Sequence, residues 1–155
     1  MNAMKKVLRA YYLASHWPEC LAPLLDVVLR LFLANVFLKS GLTKIQSWDS
    51  TLYLFSDVYQ VPLLPSDVAA YLATAGELGL SVLLVLGLFG RFATAGLFIL
   101  NGVAVISYYS GLSEAGRYQH LCWGLLLAVL LVISRWQWSL DAWLEQLIHG
   151  NRNER

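Results

Sequence analysis

Four runs of apolar residues dominate the chain. Each approaches the roughly 20 residues that a helix needs to cross about 30 Å of bilayer hydrocarbon. They cover about Leu21 to Leu42, Val68 to Leu88, Phe92 to Tyr109 and Gln119 to Ser134. Polar interruptions are few: Asp26, Arg30, Asn35 and Lys39 in the first run, Glu77 in the second and Asn101 in the third, while His120 stands at the start of the fourth. Between the second and third runs, Gly87-Leu88-Phe89-Gly90-Arg91 is short enough to force an antiparallel helical hairpin.

The connection from Thr43 to Asp67 is longer. Within it, Trp48 to Tyr59 predicts a short helix with Asp49 or Ser50 as its cap. Val61-Pro62-Leu63-Leu64-Pro65 then breaks that helix, and Ser66 or Asp67 is expected to cap the next span. Its many apolar residues predict a lid on a bundle. Two further stripes have helical spacing: Met4, Val7, Leu8, Tyr11 and Tyr12 before the first run, and Leu140, Trp143, Leu144, Leu147 and Ile148 after the last, with Ser139 as N-cap. Both read as helices lying in the membrane interface. The N-terminal stripe lacks the clean apolar stretch of a cleaved signal peptide and is expected to stay on the mature chain. The predicted fold class is all-α, an integral membrane four-helix bundle with short interfacial helices. Residues 1–20 form an interfacial segment, 21–135 the bundle, and 136–155 an amphipathic helix with a polar tail.

Composition sharpens this picture. Of 155 residues, 58% are hydrophobic and 14% charged, against about 45–50% and about 25% in soluble domains. A soluble fold this small could not hide that much apolar surface, so the surplus is expected to face lipid. A net charge of +1 and the absence of a basic stripe argue against a nucleic-acid partner. Cys20 and Cys122 fall near opposite faces of the membrane, which excludes a disulfide between them. Outside the spans, basic residues divide unevenly. Lys5, Lys6, Arg9, Arg91, Arg135, Arg152 and Arg155 lie on one side, and only Lys44 and Arg117 on the other. By the positive-inside rule both termini are expected in the cytoplasm. Trp17, Trp136 and Trp138 then mark the inner interface, and Trp48 and Trp123 the outer.

Charges within a span are costly, about 2.5–3.5 kcal/mol each at a helix centre, and they suggest function when a partner can be named. Counted from the inner ends of their spans at about 1.5 Å per residue, Arg30 and Asn101 lie roughly 13 Å deep and Glu77 roughly 16 Å deep. A polar layer of Asp26, Arg30, Glu77 and Asn101 follows, with Asp26 sharing Arg30 at i, i+4. It reads either as a neutralised pair that fixes helix register or as a pocket for a ligand head group. A second cluster gathers toward the outer face: Lys39, Lys44, Tyr108 and His120. Snorkelling lysines and belt aromatics explain much of it, and Lys39, inside its span, is the residue they explain least. One histidine without a companion ligand predicts no metal site. No GxSxG, Walker, HExxH or CxxCH signature occurs.

Taken in order, these residues resemble the DoxX family of small four-helix membrane proteins. The resemblance lies in Leu29-Arg30-Leu31, in Phe37 to Ile45, in Glu77-Leu78-Gly79 leading to Leu86-Gly87-Leu88 and Arg91, in Asn101-Gly102-Val103-Ala104 and in His120-Leu121-Cys122-Trp123-Gly124. It covers about Leu24 to Trp143. Lys39 to Gln46, Val61 to Pro65 and Ser139-Leu140-Asp141 are similar to the HvfX-like branch, associated with maturation of copper-binding, ribosomally made peptides. The resemblance implies a bacterial inner-membrane location and partners among membrane or peptide-maturation proteins, and it leaves a homo-oligomer open. Two functions follow. The first is an accessory protein, not an enzyme on its own, supporting maturation, membrane handling or export of such a peptide. The alternative is a quinone-binding subunit of a redox complex, with the quinone as its cofactor.

Overall fold

The structure, a computed structural model, describes residues 3–133 and 139–150. For residues 3–10, 12–20, 133 and 148–150 it describes the backbone alone. The expectations resting on the side chains of Met4, Lys5, Lys6, Val7, Leu8, Arg9, Tyr12, Trp17, Cys20 and Ile148 therefore lie outside the described residues, as do those on Arg135, Trp136, Trp138, Arg152 and Arg155. Six α-helices make up the described chain: α1 Ala3–Gln46, α2 Trp48–Tyr53, α3 Ser66–Leu86, α4 Gly90–Ser107, α5 Glu114–Ile133 and α6 Leu140–Gly150. A wider π-helical turn, Leu54–Val58, continues α2.

As the hydropathy pattern predicts, four helices are long and apolar enough to cross a membrane: Leu21–Gln46 within α1, Ser66–Leu86, Gly90–Ser107 and Glu114–Val132. They form a ring in which α1 packs on α3, α3 on α4, α4 on α5, and α5 back on α1. The core inside this ring is Leu33, Ala34, Phe37, Leu84, Ala93, Leu97, Leu127 and Leu130. Leu25, Phe32, Val82, Ile99, Ile106, Leu125 and Val132 point outward, exposed. That outward face suits lipid. Because lipid tails are as apolar as these side chains, close packing and buried polar contacts must hold the ring together. Gly41 lets α1 pack tightly against α3. A Cβ there would lie 2.8 Å from Leu78 Cγ and 3.2 Å from Glu77 Cβ.

One end of the bundle is closed by the α3–α4 turn. Gly87 takes a left-handed conformation (φ 64°). It closes α3 with bonds from its own N–H to Leu84 O (3.3 Å) and from Leu88 N–H to Leu83 O (3.0 Å), a Schellman termination. The N–H groups that open α4 are capped from elsewhere in the chain. Phe89 N and Gly90 N each donate to the Asp141 carboxylate at 3.0 Å, and Asp141 N donates to Gly87 O at 3.2 Å. The start of α6 is thus fastened onto the turn. Ser139 caps α6 as expected, its Oγ accepting from Ala142 N at 3.2 Å.

The other end carries the lid. Phe55 packs with Ala69 and Ala70 of α3, and Trp48 lies against Tyr71 with ring centroids 4.7 Å apart. Gln60 N donates to Ser107 O at 3.0 Å, tying the lid to the end of α4. The expected caps differ. Ser47, not Asp49 or Ser50, stands at the start of α2, and Pro65, not Ser66 or Asp67, at the start of α3; neither makes a side-chain capping bond. At α3 the proline has no N–H to satisfy and its fixed φ suits a helix entry. Before it, Leu63 follows Pro62 with φ 68°, a conformation that normally calls for glycine.

Candidate functional site

Helical phase decides which residues of α1 face the bundle. Ser40 and Lys44 are one turn apart, and Phe37 is two turns before Lys44, so the three share a face. That face meets Glu77 across the close contact at Gly41. Lys44 Nζ donates to Glu77 Oε1 (2.9 Å), to Oε2 (2.8 Å) and to Ser40 Oγ (2.9 Å). Ser40 Oγ lies 3.2 Å from Glu77 Oε1 and donates to it. Every proton of the ammonium is used, and the carboxylate is neutralised inside the bundle.

A second polar unit joins α4 to α5. Asn101 Nδ2 donates to the backbone oxygen of His120 at 2.9 Å, and His120 Nδ1 lies 2.8 Å from Asn101 Oδ1. The backbone oxygen can only accept, so the amide nitrogen must face it and the amide oxygen must face the ring. His120 Nδ1 is therefore the donor, which leaves the proton on that nitrogen. The ring also packs edge-on against Trp123, with centroids 5.0 Å apart.

Between these units lies a cavity of about 320 Å³. Ser40, Lys44 and Glu77 line one part, His120 and Ser107 another, and Phe37, Phe55, Tyr59, Tyr108 and Trp123 supply aromatic surface. Tyr59 and Tyr108 meet edge to face at 5.2 Å under the lid. Burial pushes the Tyr59 phenol above its usual range, and Tyr108 and the Glu77 carboxylate add in the same direction. Ser107 is 6% exposed, and its hydroxyl has no hydrogen-bond partner among the described residues. A buried hydroxyl without a partner is costly unless something completes it.

The structure redistributes the predicted site residues. The layer of Asp26, Arg30, Glu77 and Asn101 does not form. Arg30 pairs with Asp26 at 2.9 Å, as expected from their spacing, but at the turn end. Its Nη1 would lie 2.7 Å from a Cβ on Gly87. Glu77 stands instead opposite Gly41, eleven residues and roughly 16 Å further along α1. The spans share no common inner end: α1 runs well past the α3–α4 turn, so Arg30 faces the end of α3 and not its middle. Of the outer cluster, Lys44, Tyr108 and His120 line the cavity. Lys39 does not: it is exposed, five residues from Lys44 and so about 140° around the helix. Glu77 joins this group, and Asn101 stands behind it, bonded to His120 without lining the cavity. Ser40, Tyr59 and Ser107 are additions that the sequence reading missed. Ser40 alone carried a signal, its i, i+4 spacing to Lys44. Among the described residues no three of His, Cys, Asp and Glu come together.

Residues 25–110 match the DoxX family profile. The chain is also similar to an uncharacterized protein of Haemophilus influenzae, 30% identical over 129 residues, which span 78% of this chain and 83% of that relative. No solved structure matches.

Proposed function

The chain belongs to the DoxX family, and we propose that this multi-pass membrane protein holds a small oxygen-bearing ring, a quinone head group, in the lid-end cavity on behalf of a redox partner. The observation that carries this is the Ser107 hydroxyl, buried and unpartnered on the wall of an aromatic-lined cavity. Small-ligand sites are apolar clefts of about 300 Å³ or more with a few convergent polar groups, and this cavity fits that description. Aromatic faces on Phe37, Phe55 and Trp123 suit a flat ring. Ser107 and the tyrosine hydroxyls can donate to ring oxygens, and the Lys44–Glu77 pair offers an acid and a base without leaving a net charge in the membrane. When bound, a quinone would supply two-electron redox chemistry; the chain's own residues bind it, orient it and hold protons near its oxygens. Purified protein in nanodiscs should bind decyl-benzoquinone saturably, with quenching of Trp123 emission, and Ser107→Val should weaken binding by about tenfold. No saturable quenching, or full affinity in Ser107→Val, would defeat the reading.

The setting proposed is the bacterial inner membrane with both termini cytoplasmic, supported by the basic asymmetry of the sequence. Impermeant labelling of single cysteines should reach Asp57 and Glu114 from the periplasmic side and Gly90 from the cytoplasm. The reverse pattern would overturn the orientation. A second reading, accessory to copper-binding peptide maturation, has its own support. The segments similar to the HvfX-like branch include Ser40 and Lys44 of the cavity, Val61 at its lid and Asp141 on the turn. Cells lacking the protein should then accumulate unmodified precursor peptide, as read by mass spectrometry. Normal modification would remove this reading.

A further inference from the structure

Asn101 does more than join two helices. With its amide fixed by the His120 backbone oxygen, it accepts from Nδ1, so that a neutral ring carries its lone pair on Nε2. Nε2 has no partner among the described residues, and His120 lines the cavity. A ligand hydroxyl that reaches this nitrogen would complete it. A ketone or an ether oxygen would instead face the lone pair of Nε2.

We propose that the cavity selects rings bearing a free hydroxyl, the hydroquinone or phenol form over the quinone or its ether, and that Asn101 is the positioning residue that sets this preference. The inference rests on the ring-binding reading above and adds the form of the ring. His120 accepts the ligand's O–H, and Ser107 donates to or accepts from the same or the neighbouring oxygen. Matching an O–H donor to an acceptor on the cavity wall gains a hydrogen bond, and replacing it by a methyl ether leaves the acceptor unmet.

The probes are 2,6-dimethylhydroquinone, 2,6-dimethylbenzoquinone and 2,6-dimethyl-1,4-dimethoxybenzene, titrated calorimetrically against the full chain in nanodiscs under anaerobic conditions. The hydroquinone should bind about tenfold more tightly than the other two, as expected for one buried hydrogen bond. Asn101→Leu, which frees the ring to move its proton, should reduce that ratio to about one while the dimethoxy compound still binds. Equal binding of the three probes to the parent would overturn the preference and leave ring binding intact; binding of none would overturn ring binding itself. Should Asn101→Leu fail to accumulate, nitrogen NMR of the parent decides the point, with His120 assigned by its loss in His120→Gln. One pyrrole-type Nδ1 and one pyridine-type Nε2 are expected. Two pyrrole-type nitrogens, or the reverse tautomer, would overturn the proposal.

Discussion

Lys44 and Glu77 are 33 residues apart in sequence, yet the ammonium of one sits 2.9 and 2.8 Å from the two carboxylate oxygens of the other. The pair lies beside the tight α1–α3 contact at Gly41, and both side chains are largely buried. Breaking a buried ion pair from one side costs about 3–5 kcal/mol, because the remaining charge is stranded. Lys44→Met and Glu77→Leu should therefore each destabilise the protein severely. The double substitution should recover most of the loss, as apolar replacement of a whole buried pair often does. A double-mutant cycle of unfolding in bicelles checks this; additive losses would show that the pair is not coupled.

Gly87→Ala should be worse than its size suggests. The position has φ 64°, and a Cβ there would lie 2.6 Å from Ser139 Cβ and 2.7 Å from Arg30 Nη1. Both the turn and the seating of Arg30 would have to shift. Gly79→Ala is the matched control, since a Cβ there meets nothing within 4 Å. Membrane levels and thermal stability should fall sharply for the first and hold for the second.

Asp141 caps a helix that it does not belong to. Asp141→Ala removes the acceptor for two N–H groups at the start of α4, a loss of about 1–2 kcal/mol by analogy with N-cap removal. It also unfastens α6, so a protease site placed after residue 141 should be cut faster in the variant. Unchanged cleavage would mean that other contacts hold α6 in place.

Tyr59 provides a pH signature. Its phenol is held above the usual value of about 10 by burial, with Tyr108 and Glu77 contributing. The folded protein keeps a proton that the unfolded chain releases, so this contribution is intact below that usual value and is lost as pH rises toward the folded one. The phenolate absorbance of the parent minus that of Tyr59→Phe should titrate above the ordinary phenol value. A difference curve centred on the ordinary value would contradict the burial.

The spans were legible because bilayer thickness converts directly into a count of apolar residues. The hairpin was legible too, since Gly87 to Gly90 leaves no room for another path. Partner choice was not. Depth along a span needs a common reference plane, and α1 provides none, because its helix continues without interruption from Ala3 to Gln46. Equal depths pair Arg30 with Glu77, whereas the neighbours in the fold are Arg30 with Gly87 and Lys44 with Glu77. Lys39 lies deeper in the apolar run than Lys44, yet helical phase turns it outward. Ser107 and Tyr59 carry no pattern in the sequence at all. They join the site only once the chain from Leu54 onward folds back over the end of α4.

Ser107 serves the molecule with two different atoms. Its backbone oxygen receives the Gln60 amide that tethers the lid, while its hydroxyl waits on the cavity wall. Any occupant that orders this residue also orders the anchor point of the cover above it. Thermodynamic reciprocity then fixes the rest: whatever factor closure adds to the occupant's affinity, the occupant adds to closure. A partner that grips the lid from outside would thereby regulate retention inside without touching the bound molecule.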